Sequence, residues 1–259
     1  MKLRYITFSI ACLLLLVSPS LATERFILRS FSAWEDAVPE LGPVFRHLQN
    51  PEPNWAQVHE TAIHLSREAA SDSFKAQIGV YFTLLAERAL QTNSAPSELE
   101  DKIRTLQSIQ EFIHTQVETP PGLQNDMGNT LQFEIAFMTF LAGEDEKAIK
   151  MLTDLLSEYP SDPIAPDAAR LFAALMLIRK DYNRGISFLE RLARKSDDFP
   201  ELRFEAFYRC SILETQVIQK SPKALWYCHQ AVESVTEPDL QKRAQDRLIQ
   251  LRELQKQEL

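Results

Sequence analysis

Between Leu131 and Pro200 the chain carries two copies of one pattern, and that repetition constrains the fold more than any other feature. In the first copy Phe137 and Phe140 precede Gly143. Ala148, Ile149, Leu152, Leu155 and Leu156 then follow at helical spacing before Pro160. In the second copy Ala173, Met176, Asp181, Tyr182, Gly185, Ile186, Leu189, Leu192 and Ala193 fall at nearly the same offsets. Each copy reads as two apolar helices joined by a short break. Ala148 and Gly185 correspond, which sets a repeat of 185 − 148 = 37 residues. A hairpin of two such helices cannot bury both of its apolar faces alone, so the copies are expected to stack.

The pattern continues after Pro200. Phe204, Phe207, Tyr208, Ile212 and Leu213 mark a further first helix, and Ala224, Leu225, Cys228, Ala231 and Val232 a further second one. Ala224 follows Gly185 by 224 − 185 = 39 residues, so the period persists. A last helix from Asp239 to about Gln257 has Ala244, Leu248, Leu251 and Leu254 on one side and dense charge elsewhere, as a sealing helix requires. Upstream the signal is weaker. Asn54 is placed to cap a helix carrying Val58, Ala62 and Leu65. Ser71-Asp72-Ser73 precedes one carrying Ile78, Phe82 and Leu85, with Gly79 where a neighbouring backbone could approach. A long helix carrying Ile103, Leu106, Ile109, Ile113 and Val117 is expected to end at Pro120-Pro121-Gly122. Six glycines in 259 residues argue against a turn-rich β fold.

The amino terminus has the form of an export signal. Lys2 and Arg4 supply the positive start, Ile6 to Val17 the apolar core, and Ser20-Leu21-Ala22 a small-residue cleavage site before Thr23. An uncleaved anchor is the alternative. Cys12 is not a lipid-attachment residue on this reading, because four leucines follow it directly and continue the apolar core. Thr23 to Ser32 reads as a poorly ordered leader, followed by a helix start at Ser32. Cys210 and Cys228 remain; they form either a single staple or two separate buried thiols. The net charge of −8 becomes −8 − 2 = −10 without Lys2 and Arg4, which disfavours nucleic acid as a partner.

Gly143, Ala148, Leu152 and Pro160, and again Tyr182, Gly185 and Leu189, resemble the tetratricopeptide pattern, whose unit is about 34 residues. The Tyr159-Pro160-Ser161-Asp162-Pro163 link is similar to connections in exported bacterial envelope scaffolds, of the outer-membrane assembly lipoprotein and Tol-Pal coordinator types. The resemblance implies an all-α, right-handed α-solenoid of antiparallel helical hairpins. The expected divisions are a signal peptide over 1–22, degenerate hairpins over 23–125, tetratricopeptide-like repeats over 126–238 and a C-terminal capping helix over 239–259. It further implies a non-catalytic periplasmic or secreted scaffold that binds a protein or extended peptide, with peripheral association to envelope complexes.

The sequence carries no local catalytic motif. His59 and His64 are five residues apart, a rotation of ~500° on a helix, and do not form a zinc-binding pair. There is no nucleophile elbow, phosphate-binding loop or dinucleotide fingerprint. No catalytic residue, cofactor or metal ligand is therefore expected; a cell-wall enzyme without a local motif is the alternative. First helices of tetratricopeptide hairpins usually line the concave groove. That places Phe133, Phe137 and Phe140 as an apolar floor beside Arg170, Leu177 and Arg209, whose guanidiniums would meet a carboxylate of the bound segment.

Overall fold

A computed structural model describes residues 42–48, 54–68, 73–89, 96–115 and 121–256 of the protein. The expected signal segment, the leader, the helix start at Ser32 and the Val117 position lie outside the described residues. Among the described residues there are eleven helices and no strand. They are α1 (Gly42–Leu48), α2 (Trp55–Glu68), α3 (Phe74–Ala89), α4 (Pro96–Thr115), α5 (Pro121–Leu141), α6 (Asp145–Glu158), α7 (Ala165–Arg179), α8 (Tyr182–Lys195), α9 (Pro200–Val217), α10 (Pro222–Ser234) and α11 (Pro238–Lys256). The chain forms two compact units that part within α6, after Met151. The sequence-based division at residue 125 falls inside α5.

In the first unit each helix from α1 to α4 packs on its successor. Asn54 caps α2, its Oδ1 accepting from the Gln57 N–H at 3.2 Å, and Ser73 caps α3 by accepting from the Ala76 N–H at 3.1 Å. Val58, Ala62 and Leu65 of α2 join Ile78, Phe82 and Leu85 of α3 in one buried cluster. The α2–α3 pair is close because of Gly79: a Cβ there would lie 2.8 Å from the Ser66 backbone nitrogen. Ile103, Leu106, Ile109 and Ile113 of α4 and Met127, Leu131, Ile135 and Met138 of α5 complete the cluster. Helix α5 starts at Pro121, ten residues before the expected repeat. Proline suits a first turn because the N–H it lacks has no partner there in any case. Gly143, at φ +85°, closes α5: its N–H donates to Phe140 O and the Glu144 N–H to Thr139 O.

The second unit, from Leu152 onward, is a stack of hairpins. Helix α7 pairs with α8 and α9 with α10, while α9 also packs on both α7 and α8. First helices are thus enclosed on several sides. In α7 every residue from Ala168 to Met176 is buried, and α9 is buried almost continuously from Leu202 to Glu214. Second helices bury one stripe, as Gly185, Ile186, Leu189, Leu192 and Ala193 do in α8. The repeat is visible in contacts as well as in sequence. Three hydrogen bonds between hairpins span 35, 37 and 38 residues: Arg170 to Glu205, Tyr227 to Glu190 and Arg243 to Glu205. Gly185 is a point of contact between neighbouring hairpins, where a Cβ would fall 2.8 Å from both Leu213 Cδ1 and Met176 Cγ. Lys180, at φ 59°, holds the place that Gly143 holds one repeat earlier (180 − 143 = 37). Its N–H donates to Leu177 O and the Asp181 N–H to Met176 O.

Helix α11 packs on α10, burying Ala244, Leu248 and Leu251, and sends Arg243 and Arg247 across to α9. Cys210 and Cys228 are separate free thiols. The Cys210 Sγ–H points to Ile186 O at 3.8 Å and that of Cys228 to Ala244 O at 3.2 Å. The single-staple alternative does not form, because each thiol is packed against a different helix pair.

Candidate partner-binding face

Helices α7, α9 and α11 meet at a cluster of charge. Glu205, 1% exposed, sits at its centre on α9. Arg170 of α7 donates to it from Nε at 3.2 Å and from Nη2 at 3.3 Å, a two-point fork that spans adjacent hairpins. Arg209 donates from the next turn of α9, and Arg243 reaches from α11 at 3.5 Å. Asp167 pairs with Arg170 from one turn earlier on α7. Burial by itself would push the Glu205 carboxyl up. The guanidiniums of Arg209, Arg170 and Arg243 outweigh that and hold it well below the usual carboxylate range. The Arg243 guanidinium also lies 4.3 Å from the ring centre of Tyr208, which is stacked on Phe204.

This geometry changes the expected roles of Arg170 and Arg209. The sequence pattern presents both as guanidiniums open to a partner's carboxylate, but an internal carboxylate already occupies them, and Arg209 is only 3% exposed. Glu205 precedes Arg209 by one helical turn, a spacing that marks the pair locally, but nothing local ties it to Arg170 or Arg243, which lie 35 and 38 residues away. Phe133 and Phe137 are buried and form no open floor; Phe140 keeps part of its surface. The burial of the first two follows from helical spacing, since aromatic residues recurring on one face of a helix are drawn into its core. Leu177, at the end of α7, is half-buried.

On the second-helix side Tyr227 Oη donates to Glu190 Oε2 at 2.6 Å and Arg194 donates to Glu190 Oε1 at 2.6 Å. Arg194 also covers the exposed Trp226 ring at 5.8 Å. Among the described residues no group of three or more His, Cys, Asp and Glu is placed to hold a metal, and no helix is long and apolar enough to cross a membrane. His59 faces Glu87 at 3.8 Å.

No family model matches the chain, and no curated protein matches it. Two crystal structures of TPR-like repeats from a candidate kinesin light chain of Podosopora anserina are similar to it, each with a TM-score of 0.42. One of them, a point variant, is 12% identical and the other 13%, and both alignments cover 89% of this chain and 95% of the matched one. What defines the hairpin stack is its packing and the 35-, 37- and 38-residue spans of the inter-hairpin bonds.

Proposed function

We propose that this protein is a non-catalytic scaffold of the bacterial cell envelope, which holds a partner protein or extended peptide along the face of its first helices. The observation that carries the reading is the bonding of α7, α9 and α11 at one level through Glu205. Helix α9 is bonded to both α7 and α11, so the surface it keeps is preorganised and a bound segment does not have to order it. Tyr208, Ile212 and Thr215 keep part of their surface along α9, offering aromatic, aliphatic and hydroxyl contacts. Lys2, Arg4, the apolar core and Ser20-Leu21-Ala22 support export, and with it the periplasmic or secreted location. The division into signal peptide, amino-terminal hairpins, repeats and terminal helix belongs to the same proposal.

The test is affinity capture from envelope extract, run beside a cell-wall hydrolysis assay on the same purified protein. A partner retained in fixed proportion, with no hydrolysis, is the expected result. Release of cell-wall fragments would instead favour the enzyme alternative, and a chain that retains nothing would end the scaffold reading.

A further inference from the structure

Arg170, Arg209 and Arg247 follow one another at 209 − 170 = 39 and 247 − 209 = 38 residues, so Arg247 is the next member of the repeat series. Unlike the first two, it meets no internal carboxylate among the described residues. Its hydrogen bond there is one from Nη2 to Thr215 Oγ1 at 3.0 Å, and its Nε is buried without a hydrogen-bond partner. Thr215 Oγ1 itself donates to Ile212 O at 2.7 Å, so the hydroxyl is oriented to accept from Arg247. Arg247 lines a cavity of about 600 Å³ between the end of α9 and α11. Ile212, Val217 and Leu254 supply its apolar lining, and Gln219 an amide. Val217 and the adjoining Ile218 are exposed to solvent at 42% and 56%.

We infer that this cavity takes a carboxylate carried on an aliphatic segment of a partner protein, an Asp or Glu side chain next to Leu, Ile or Val. This deepens the scaffold reading and rests on it for the identity of the occupant as protein. Two observations favour that chemistry. Arg247 is paired with no carboxylate among the described residues, and a charged acceptor beside a guanidinium forms the stronger kind of hydrogen bond. The exposed aliphatic rim gives the neighbouring side chain a surface to cover. The chain's own nearby acids do not fill this role: Glu205 is held by Arg170, Arg209 and Arg243, and Glu214 accepts from Ser221 Oγ at 2.7 Å.

The experiment selects a displayed library of random heptapeptides, flanked on both sides so that no free terminus is presented, on the full chain and on Arg247→Gln. A parallel titration follows the backbone amides of Val217 and Gln219 by nuclear magnetic resonance while sodium hexanoate is added. The inference expects enrichment of an acid beside an aliphatic residue on the native chain. It also expects a loss of about tenfold or more in affinity on Arg247→Gln, the size of a charged hydrogen bond, and partial recovery with Arg247→Lys. Melting curves establish that both variants are folded. Peptides without acids, equal affinity for Arg247→Gln, or no selected peptide at all would overturn it. Arg247-dependent shifts with hexanoate but no selected peptide would mark a small-molecule carboxylate site and overturn the assignment to a protein segment. Peptide binding that depends on Arg247, with no partner captured from envelope extract, would instead remove the scaffold reading while leaving the cavity's chemistry in place.

Discussion

Replacing Glu205 by Gln removes the carboxylate that three guanidiniums share, while leaving the side-chain volume almost unchanged. Arg170 and Arg209 are too enclosed for water to replace it: both are buried, and the Arg170 fork bonds at 3.2 and 3.3 Å join separate hairpins. Removing one partner of a buried ion pair costs about 3–5 kcal/mol, because the remaining charge stays desolvated and unpaired. For a chain of this size that corresponds to a fall on the order of 10 °C in the melting temperature. Arg243→Gln is the control. Its side chain is 33% exposed and bonds Glu205 at 3.5 Å, so its loss is expected to cost about 1 kcal/mol or less. Acid sensitivity provides a second readout. The Glu205 carboxyl is depressed in the folded chain, so its contribution is fully present above the ordinary carboxyl value of 4.5 and is lost as the pH falls below it. Urea melts between about pH 6 and pH 3 should therefore show a steep loss of stability in the native chain and a shallower one in Glu205→Gln. A variant that melts within about 1 kcal/mol of the native chain, with an unchanged pH slope, would refute the view that this cluster joins the hairpins.

Gly79→Ala should destabilise the first unit by about 1–3 kcal/mol despite alanine's better helix propensity, because the new methyl would meet the Ser66 backbone at 2.8 Å; an unchanged denaturant midpoint would contradict that contact. Lys180→Gly should raise stability by up to about 1 kcal/mol, since Lys180 holds φ 59° at a position where glycine has no Cβ penalty. A fall in stability would show that the lysine side chain compensates for its backbone. Burial pushes the Cys228 thiol up to about 11 and raises Cys210 well above its ordinary value, so iodoacetamide at about pH 8 should leave both unlabelled in the folded chain and label both in urea.

Helix type and repeat spacing are legible in the sequence because apolar spacing and glycine breaks are local signals. Gly143, Ala148 and Gly185 mark the register correctly, and Gly79 marks a close backbone approach. The start of α5 is not legible in the same way: Pro121 suits a helix stop, yet a proline in a first helical turn is equally compatible with a beginning. The surroundings of the residues expected to bind are harder to read. Arg170 and Arg209 carry the same charge and the same repeat position whether they face solvent or a buried acid. Their partner Glu205 lies 209 − 205 = 4 residues before Arg209, a local helical spacing, but 205 − 170 = 35 residues from Arg170, beyond the reach of any local pattern. Extending the series by one more repeat points to Arg247, but the charged outer face of α11 suggests only a sealing helix. The place of Arg247 at the cavity depends on Thr215 and Leu254, which only the packing of α11 against α9 brings together.

The most direct test of the scaffold account is photocrosslinking in living cells, with p-benzoylphenylalanine placed in turn at Leu177, Tyr208 and Ile249. The first two side chains keep part of their surface on first helices of successive hairpins, α7 and α9. Ile249, 53% exposed on α11, points about 200° away from Arg247. The account predicts the same crosslinked partner from Leu177 and Tyr208 and none from Ile249. A partner captured from Ile249 alone, or equally from all three positions, would contradict the claim that the first-helix face is where this protein binds.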